Sequence, residues 1–498
     1  MKILTTQQIR DLDAFTIANE PVASIDLMER ACVAFTTWFT DTFNTPNKIG
    51  IVCGTGNNGG DGLGIARLLK ERGYNVQVWL VQSSGKATDD FNTNHRRLPK
   101  SVPVKELTSP PERQFESVDI LIDALFGSGL SRTPEGLYAE VIQAMNNAPA
   151  RRVAVDVPSG LLADKPSQEP IVRAHYTISF QLPKLAFMFP QYHAFTGEWV
   201  LVDIGLSKDF IRTAETPFCY VGTQQARKIV KPRSRFDHKG TFGHALIVSG
   251  SYGKIGAAVL ASRAALRAGV GLLTTYVPRC GYDILQTAVP EAMAQPASHE
   301  TMLTDCPPNL ETYNALGIGP GLGQAKETAT ALGQILEKFG KPAVIDADAL
   351  NILATNSALL HLVPQGSILT PHPKEFERLV GKWANDFERL EKQRQLSTKL
   401  KSVIVLKGAN TSIATPDGKV FFNSTGNPGM ATGGTGDVLT GILTGLLAQR
   451  YSSEDAAVLG VFLHGLAGDN AAYDKGMHGL IASDLPEFLP AAYRRVVG

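Results

Sequence analysis

Apolar and polar positions follow two rhythms along this chain. Short apolar runs, bounded by glycine, proline or aspartate, recur between longer stretches with helical spacing. In the first part the runs Lys48–Cys53, Asn75–Val81, Val118–Leu125 and Arg152–Val157 each predict a strand. Helical spacing appears at Leu63–Arg72 and Leu137–Asn146. The pattern then restarts. Strands are predicted at His244–Ser249, Gly271–Val277, Ala315–Gly319, Ala343–Asp346, Ser367–Thr370 and Ser402–Leu406. Helices are predicted at Ile255–Ala268 and from Thr435 to Gln449. Strand–helix alternation implies parallel sheets with helices on both faces. The expected class is α/β in two domains, residues 1–220 and 221–498. The basic stretch Ala226–Lys239, with Pro232 at its middle, reads as a linker between them, its charge either solvated or in contact with phosphate.

A length of 498 residues agrees with two domains. Hydrophobic residues at 43% and charged residues at 19% describe a folded chain, not a disordered one. Its 48 basic and 47 acidic residues leave a net charge of +1. No bulk field draws nucleic acid or an anionic membrane, so neither is an expected partner. The five cysteines are widely spaced with no CxxC pair, which argues against zinc ribbons and thioredoxin-like chemistry. The first residues lack the apolar core of a signal peptide, and Arg263 and Arg267 interrupt the best candidate membrane span. A cytoplasmic enzyme is the expectation.

The chemistry sits at predicted strand ends, where open parallel sheets bind ligands. GTGNNGGDG, residues 54–62, follows a strand and opens a helix. Gly54, Gly56 and Gly59 satisfy GxGxxG, and helix-terminal amides there favour an anion. The next strand ends at Gln82, with no acid to hold a ribose, which weakens a dehydrogenase reading. Asp61 is also unusual in a phosphate cradle. A tight turn that needs glycine is the plainer alternative. Asp123 and Asp156 each close a strand, as helix caps or as site residues. Oxygens from Asn58, Asp123 and Ser159 could form a hard-cation site.

In the second part GNPGMATGGTGDVLTG, residues 426–441, precedes an apolar helix. Amides of Gly433, Gly434 and Gly436 would form an anion hole, with Asp437 beside whatever is held there. The alternative is a glycine-rich cap. No GxxxxGK[ST] occurs. Lys407 and the loop to Thr411 could hold a nucleotide phosphate. Asp346 and Asp348 follow another strand. His372 lies between Pro371 and Pro373, as a structural or a catalytic residue. GIGPGLG, residues 317–323, and SGSYGKIGAA, residues 249–258, are further glycine loops.

GNNGGDG, DALFGSGLSR, VDVPSG and VLVDIGL together resemble the N-terminal domain of the NAD(P)H-hydrate repair proteins, over residues 1–215. The resemblance implies a Rossmann-like three-layer domain that epimerises the R and S hydrates of NADH and NADPH. It implies that Asn57, Asn58, Gly59, Gly60 and Asp61 contact the hydrated nucleotide. The same contact is implied for Gly127, Ser128, Gly129, Leu130, Ser131, Arg132 and Thr133, with Tyr138 and Asp156. It further implies potassium (K+) at Asn58, Asp123 and Ser159. Moving a proton at the C6 hydroxyl needs an acid–base group, for which Asp156 is the first candidate and Lys184 the second. One departure stands out. The helix reads LMERAC where the family has LMENAG, so Arg30 and Cys32 bear on the wall of that site.

HKGTFGHALIVSGS, GPGLG, DADALN, LTPHPKE, VLKGANT and NPGMATGGTGD resemble the ADP-dependent NAD(P)H-hydrate dehydratases of the ribokinase-like fold, over residues 235–495. The resemblance implies adenine nucleotide, ADP or ATP, at Lys407, Gly408, Ala409, Asn410, Thr411 and Gly436. It implies hydrated substrate at Ala257, Gly321, His372 and Asp437, with Asp437 catalytic. Nucleotide phosphates imply Mg2+. A homo-oligomer is also implied. Two rival readings are an ATP-dependent small-molecule kinase of the same fold and an N-terminal domain that serves only as a binding module.

Overall fold

The computed structural model describes residues 1–20, 22–82, 86–111 and 113–498. They form two compact units. One comprises Lys2–Thr216 with Asn385–Phe387, and the other Met1, Pro217–Ala384 and Glu388–Gly498.

The first unit holds strands β1 (Lys48–Cys53), β2 (Asn75–Val81), β3 (Val104–Leu107), β4 (Ile120–Ala124), β5 (Arg151–Val155), β6 (Tyr176–Phe180) and β7 (Glu198–Val202). They form one parallel sheet in the order β3-β2-β1-β4-β5-β6-β7. Central strands are buried on both faces, so their sequences are continuously apolar. Ile49, Ile51 and Cys53 pack into one core with the helices Ser24–Thr42 and Asn57–Glu71. Val52 and Leu121 face the opposite core beside the helix Leu137–Asn147. The order in which strands are added reverses between β1 and β4, which places the loops after β1, β4 and β5 around one crevice. The helix after β1 begins at Asn57, six residues before the expected start, so GNNGGDG is itself its first turn. A Cβ at Gly59 would stand 1.8 Å from the Gly54 carbonyl oxygen, so only glycine fits there.

The second unit carries β8 (Phe218–Val221), β9 (His244–Val248), β10 (Leu272–Val277), β11 (Met293–Pro296), β12 (Ala315–Ile318), β13 (Ala343–Ile345), β14 (Ile368–Leu369), β15 (Val403–Leu406), β16 (Ser412–Ala414) and β17 (Val420–Asn423). Their order is β11-β10-β9-β12-β13-β14-β15-β16-β17-β8, parallel except for the antiparallel β15–β16–β17 meander. The helix Thr435–Ala448 is buried from Val438 onward. Gly441 lets it lie against the helix Ile255–Arg267, since a Cβ there would meet the Ala261 carbonyl oxygen at 2.0 Å.

The linker reading of Ala226–Lys239 is corrected. β8 already belongs to the second sheet, and Ala226 is fully buried in that unit's core. Arg227 Nε donates to the Val496 carbonyl at 2.7 Å, and Lys231 Nζ to that of Arg450 at 2.7 Å. The Arg233 guanidinium stacks 3.9 Å from the Phe242 ring centre. These three cations thus have partners within the second unit: backbone carbonyls and a ring. Among the described residues no helix is long and apolar enough to cross a membrane.

Candidate active sites

A cavity of about 850 Å³ opens at the carboxyl edge of the first sheet. Asn57, Asn58 and Asp61 line it, as do Gly127 to Thr133, Tyr138, Asp156 and Lys184. Gly59 and Gly60 lie buried beneath that wall, under Gly54 and Met28. Tyr138 reaches the Val81 carbonyl at 3.4 Å and packs on Phe126. Arg30 pairs instead with Glu20 at 3.3 Å. Cys32 is fully buried and donates its thiol to the Asp61 carbonyl at 3.4 Å, so it supports the wall from behind.

Asp156 adopts φ +63, a left-handed conformation rare for a side chain with a Cβ. This turn at the end of β5 aims its carboxylate into the cavity. Lys184, only 1% exposed, stands 2.9 Å from Asp156 Oδ1. Ser179 Oγ and the Phe180 amide also donate to that oxygen, each at 3.2 Å, and the Ser128 amide donates to Oδ2 at 3.3 Å. Burial alone would raise this carboxyl. The Lys184 ammonium outweighs burial and holds it below the ordinary carboxylate range.

Below the cavity floor, Asp123 is fully buried. The Ser159 amide donates to Oδ2 at 2.7 Å and the Ser159 hydroxyl to Oδ1 at 2.6 Å. Burial pushes the carboxyl up to about 6 against those bonds. The Phe126 amide donates to Ser159 Oγ at 2.9 Å. The next residue, Gly127, has its Cβ position 3.0 Å from Asn58 Oδ1. So Asn58, Asp123 and Ser159 meet around one short stretch of chain. The Asn58 amide nitrogen is buried without a hydrogen-bond partner. Turning that amide over presents an oxygen instead, and the donor set becomes all oxygen. Such a set fits a hard cation.

Two further residues of this cavity come from the first helix, Thr6–Asn19, where the motifs give no hint of them. Arg10 donates to the Gly129 carbonyl at 2.9 Å, and Asp13 lines the wall. Burial, with Asp156 nearby, pushes the Asp13 carboxyl up to about 6. Burial, with Asp156 and Asp13, pushes Asp61 well above its ordinary value. The usable signal was the helical spacing of Ile9 and Asp13, which puts both on one face.

The second unit has a cavity of about 460 Å³ at the carboxyl edge of its sheet. Ala257, Gly321 and Asp437 line it, with Lys254, Asp348 and Glu375. Gly321 has φ +66 and a Cβ position 2.9 Å from the Lys254 carbonyl oxygen, which favours glycine. Ser249 and Ser251 hold this loop through the Pro320 and Gly321 carbonyls, at 2.6 and 2.7 Å. Burial and the nearby Asp346 carboxylate push Asp437 up to about 6, against the pull of Lys407.

Behind Asp437, Asp346 is 1% exposed. It binds Lys407 Nζ at 2.8 Å through Oδ1 and the Thr440 hydroxyl at 2.8 Å through Oδ2. Lys407 thereby lies 3.5 Å from the Cβ position of Gly436, at the start of the glycine-led helix. The loop onward is closed by Thr411, whose hydroxyl donates to the Gly408 carbonyl at 2.9 Å. Gly408 and Ala409 are exposed, and Asn410 is partly so. His372 caps the helix Pro373–Val380: its Nδ1 accepts the Lys374 and Glu375 amides at 3.1 and 3.3 Å. Its proton therefore sits on Nε2, 3.3 Å from Glu375 Oε1. Burial and Lys407 lower its affinity for a second proton.

Glu375 and His464 were missed from sequence. Glu375 reads as an ordinary capping-box acid, yet it is buried and faces the cavity. His464 donates to the Thr435 carbonyl at 2.9 Å, and burial lowers its pKa to about 4. A neutral imidazole thus anchors the first turn that carries Asp437.

Comparison with known proteins adds independent findings. Residues 24–186 match a family model described as YjeF-related protein N-terminus, and residues 245–491 one described as NAD(P)H-hydrate dehydratase. The bifunctional NAD(P)H-hydrate repair enzyme Nnr of Moorella thermoacetica is 38% identical over 100% of this chain and 97% of its own. That of Coxiella burnetii is 36% identical over 96% of each. Among solved structures, a ribokinase-like superfamily protein of Enterococcus faecalis is 27% identical, with a TM-score of 0.51 over 57% of this chain and 99% of its own. A Bacillus subtilis ADP/ATP-dependent NAD(P)H-hydrate dehydratase, co-crystallised with ATP and Mg2+, is 32% identical over 56% and 98%, with a TM-score of 0.48.

Proposed function

Since the chain belongs to the family of bifunctional NAD(P)H-hydrate repair enzymes, we propose that each of its units carries one half of that repair. The first, Lys2–Thr216, interconverts the R and S hydrates of NADH and NADPH. The second, from Pro217, removes water from the S hydrate with consumption of an adenine nucleotide, ADP or ATP. The observation that carries this reading is the contrast between two carboxylates. Asp156 is held ionised by a buried lysine, whereas Asp437 is poised near neutrality at a glycine-led helix terminus. A fixed anion in the first cavity and a titratable carboxyl in the second suit two different reactions.

In the first cavity the helix start Asn57–Asp61 and the loop Gly127–Thr133 cradle the hydrated nucleotide, with Tyr138 on its flank. Lys184 keeps Asp156 anionic beside the ring. Asn58, Asp123 and Ser159 would hold potassium, which supplies a fixed positive charge under the loop.

In the second cavity Ala257, Gly321 and His372 orient the hydrate, while Lys407 to Thr411 and Gly436 bind the nucleotide. Asp437 takes the proton of the C6 hydroxyl as the oxygen captures the terminal phosphoryl group of the nucleotide, whose bridging P–O bond breaks to release AMP from ADP; the C6–O bond of the resulting ester then breaks and phosphate departs. Mg2+ would be held through the nucleotide's phosphates and water, and would supply charge neutralisation there. The raised carboxyl of Asp437 also suits direct protonation of the departing hydroxyl. A hydrate labelled with heavy oxygen at C6 distinguishes the routes: the label emerges in phosphate for the first and in water for the second.

A cytoplasmic setting and a homo-oligomer go with the same reading. A small-molecule kinase would share the second unit's fold but leave the first cavity without a task. The test supplies purified S hydrate with ADP and follows NADH absorbance. Growth of absorbance supports the reading, and a phosphorylated alcohol with no absorbance would replace it with the kinase.

A further inference from the structure

Asp156 is poorly suited to shuttle a proton. Its Oδ1 accepts from Lys184, Ser179 and Phe180, and its Oδ2 from Ser128. A carboxylate saturated in this way must break several bonds to take up a proton. Epimerisation nevertheless requires a group that gives a proton to the leaving C6 oxygen and recovers one when water returns.

The first helix supplies such a group. Ile9, Arg10 and Asp13 line the same cavity as Asp156 and Lys184. Arg10 fastens their helix to the Gly127–Thr133 loop through the Gly129 carbonyl. Asp13 is half-buried, and among the described residues its carboxyl has no hydrogen-bond or ion-pair partner. It lines the same cavity as both members of the Asp156–Lys184 ion pair. Arg10, Asp61, Arg132, Glu135, Tyr138, Asp156 and Lys184 are the charged or titratable groups that line the cavity with it.

We infer that Asp13 is the proton-transfer residue of the epimerase site, with Asp156 a fixed anion that positions and balances charge. This rests on the epimerase reading of the first unit. Asp13 gives its proton to the C6 oxygen, and the C6–O bond breaks as the N1 lone pair forms a C6=N1 iminium. Water departs, and the Asp13 carboxylate balances the ring cation. Water then adds to the opposite face, a new C6–O bond forms, and its proton returns to Asp13. Nothing is consumed, and the product is the other epimer.

The test uses the full chain with purified S hydrate of NADH and no nucleotide, so that the second site cannot draw off substrate. Chromatography follows the R epimer. Asp13→Asn should slow its appearance by about 100-fold or more, the range of general acid–base catalysis. Hydrate affinity should stay within about threefold, the signature of an interaction made only in the transition state. Asp13→Glu should recover part of the rate. The wild-type rate should fall with rising pH as Asp13 ionises, and the residual rate of Asp13→Asn should not. Asp13→Asn with near wild-type rate, or with binding and rate lost together, overturns the inference. A wild type that forms no R epimer above the protein-free control overturns the epimerase reading itself, and the two failures are told apart by that control.

Discussion

Lys184→Met should expose the cost of the buried ion pair under the first cavity. Lys184 is 1% exposed and Asp156 7%. The substitution keeps much of the side-chain volume but removes the ammonium 2.9 Å from Asp156. Three donors to the carboxylate remain, from Ser179, Phe180 and Ser128. Removing one partner of a buried pair leaves an uncompensated charge, at a cost of about 3–5 kcal/mol. For a unit of this size that lowers the melting midpoint by about 6–20 °C.

The pH dependence carries the sharper test. In the wild type the Asp156 pKa is depressed, so its ionised form adds stability above the unfolded value of about 4, lost as pH falls through the folded value. Without Lys184, burial raises the same carboxyl, and ionisation then opposes folding above the unfolded value. The stability gap between wild type and variant should therefore be widest near pH 7 and narrow toward pH 4. Scanning calorimetry at both pH values checks this on the transition of the first unit. An equal loss at both, or no loss at either, would refute the electrostatic account.

Other outcomes follow from the second cavity. Asp437→Asn should lower dehydration by about 10²–10⁴-fold. If Asp437 acts as the base, wild-type kcat/KM should rise with pH through about 6, the range to which burial moves that carboxyl, and the variant should lose this limb. Gly321→Ala should cost about 1–2 kcal/mol through its left-handed φ of +66 and raise KM for the hydrate, as read by unfolding and steady-state kinetics. Asp346→Asn frees Lys407 from its 2.8 Å ion pair, and KM for ADP should rise by about 10-fold, the lower range for a charged hydrogen bond.

The α/β architecture was legible because parallel strands buried on both faces are written as unbroken apolar runs, as in Lys48–Cys53 and Ser402–Leu406. The crevice was legible because Asp123 and Asp156 mark strand ends, and ligands gather there. What escaped depends on contacts between residues distant in sequence. β8 is a strand only because it pairs with β17, some 200 residues later. Arg227, Lys231 and Arg233 looked like a solvated linker because a cation bound to a carbonyl has no sequence signature. Arg10 and Asp13 belong to a helix without a short motif, and although its spacing puts Ile9 and Asp13 on one face, only the folded unit brings that face to the cavity. Glu375 and His464 are likewise ordinary helix residues until the helices pack. Local rules also misjudged the start of the helix at Asn57, since four glycines argue against a helix until close packing demands them.

The central claim is that one chain holds two separate sites acting in succession on one substrate pool. Its most direct test follows NADH absorbance from a mixed pool of R and S hydrates with ADP, using the wild type, Asp156→Asn, Asp437→Asn and an equal mixture of the two variants. The account predicts complete recovery by the wild type and none above the protein-free control by Asp437→Asn. Asp156→Asn should give rapid recovery of the S fraction with a slowed R fraction. The mixture should restore complete recovery, because each variant supplies the site the other lacks. Loss of S-hydrate recovery in Asp156→Asn, or failure of the mixture, would contradict two independent sites.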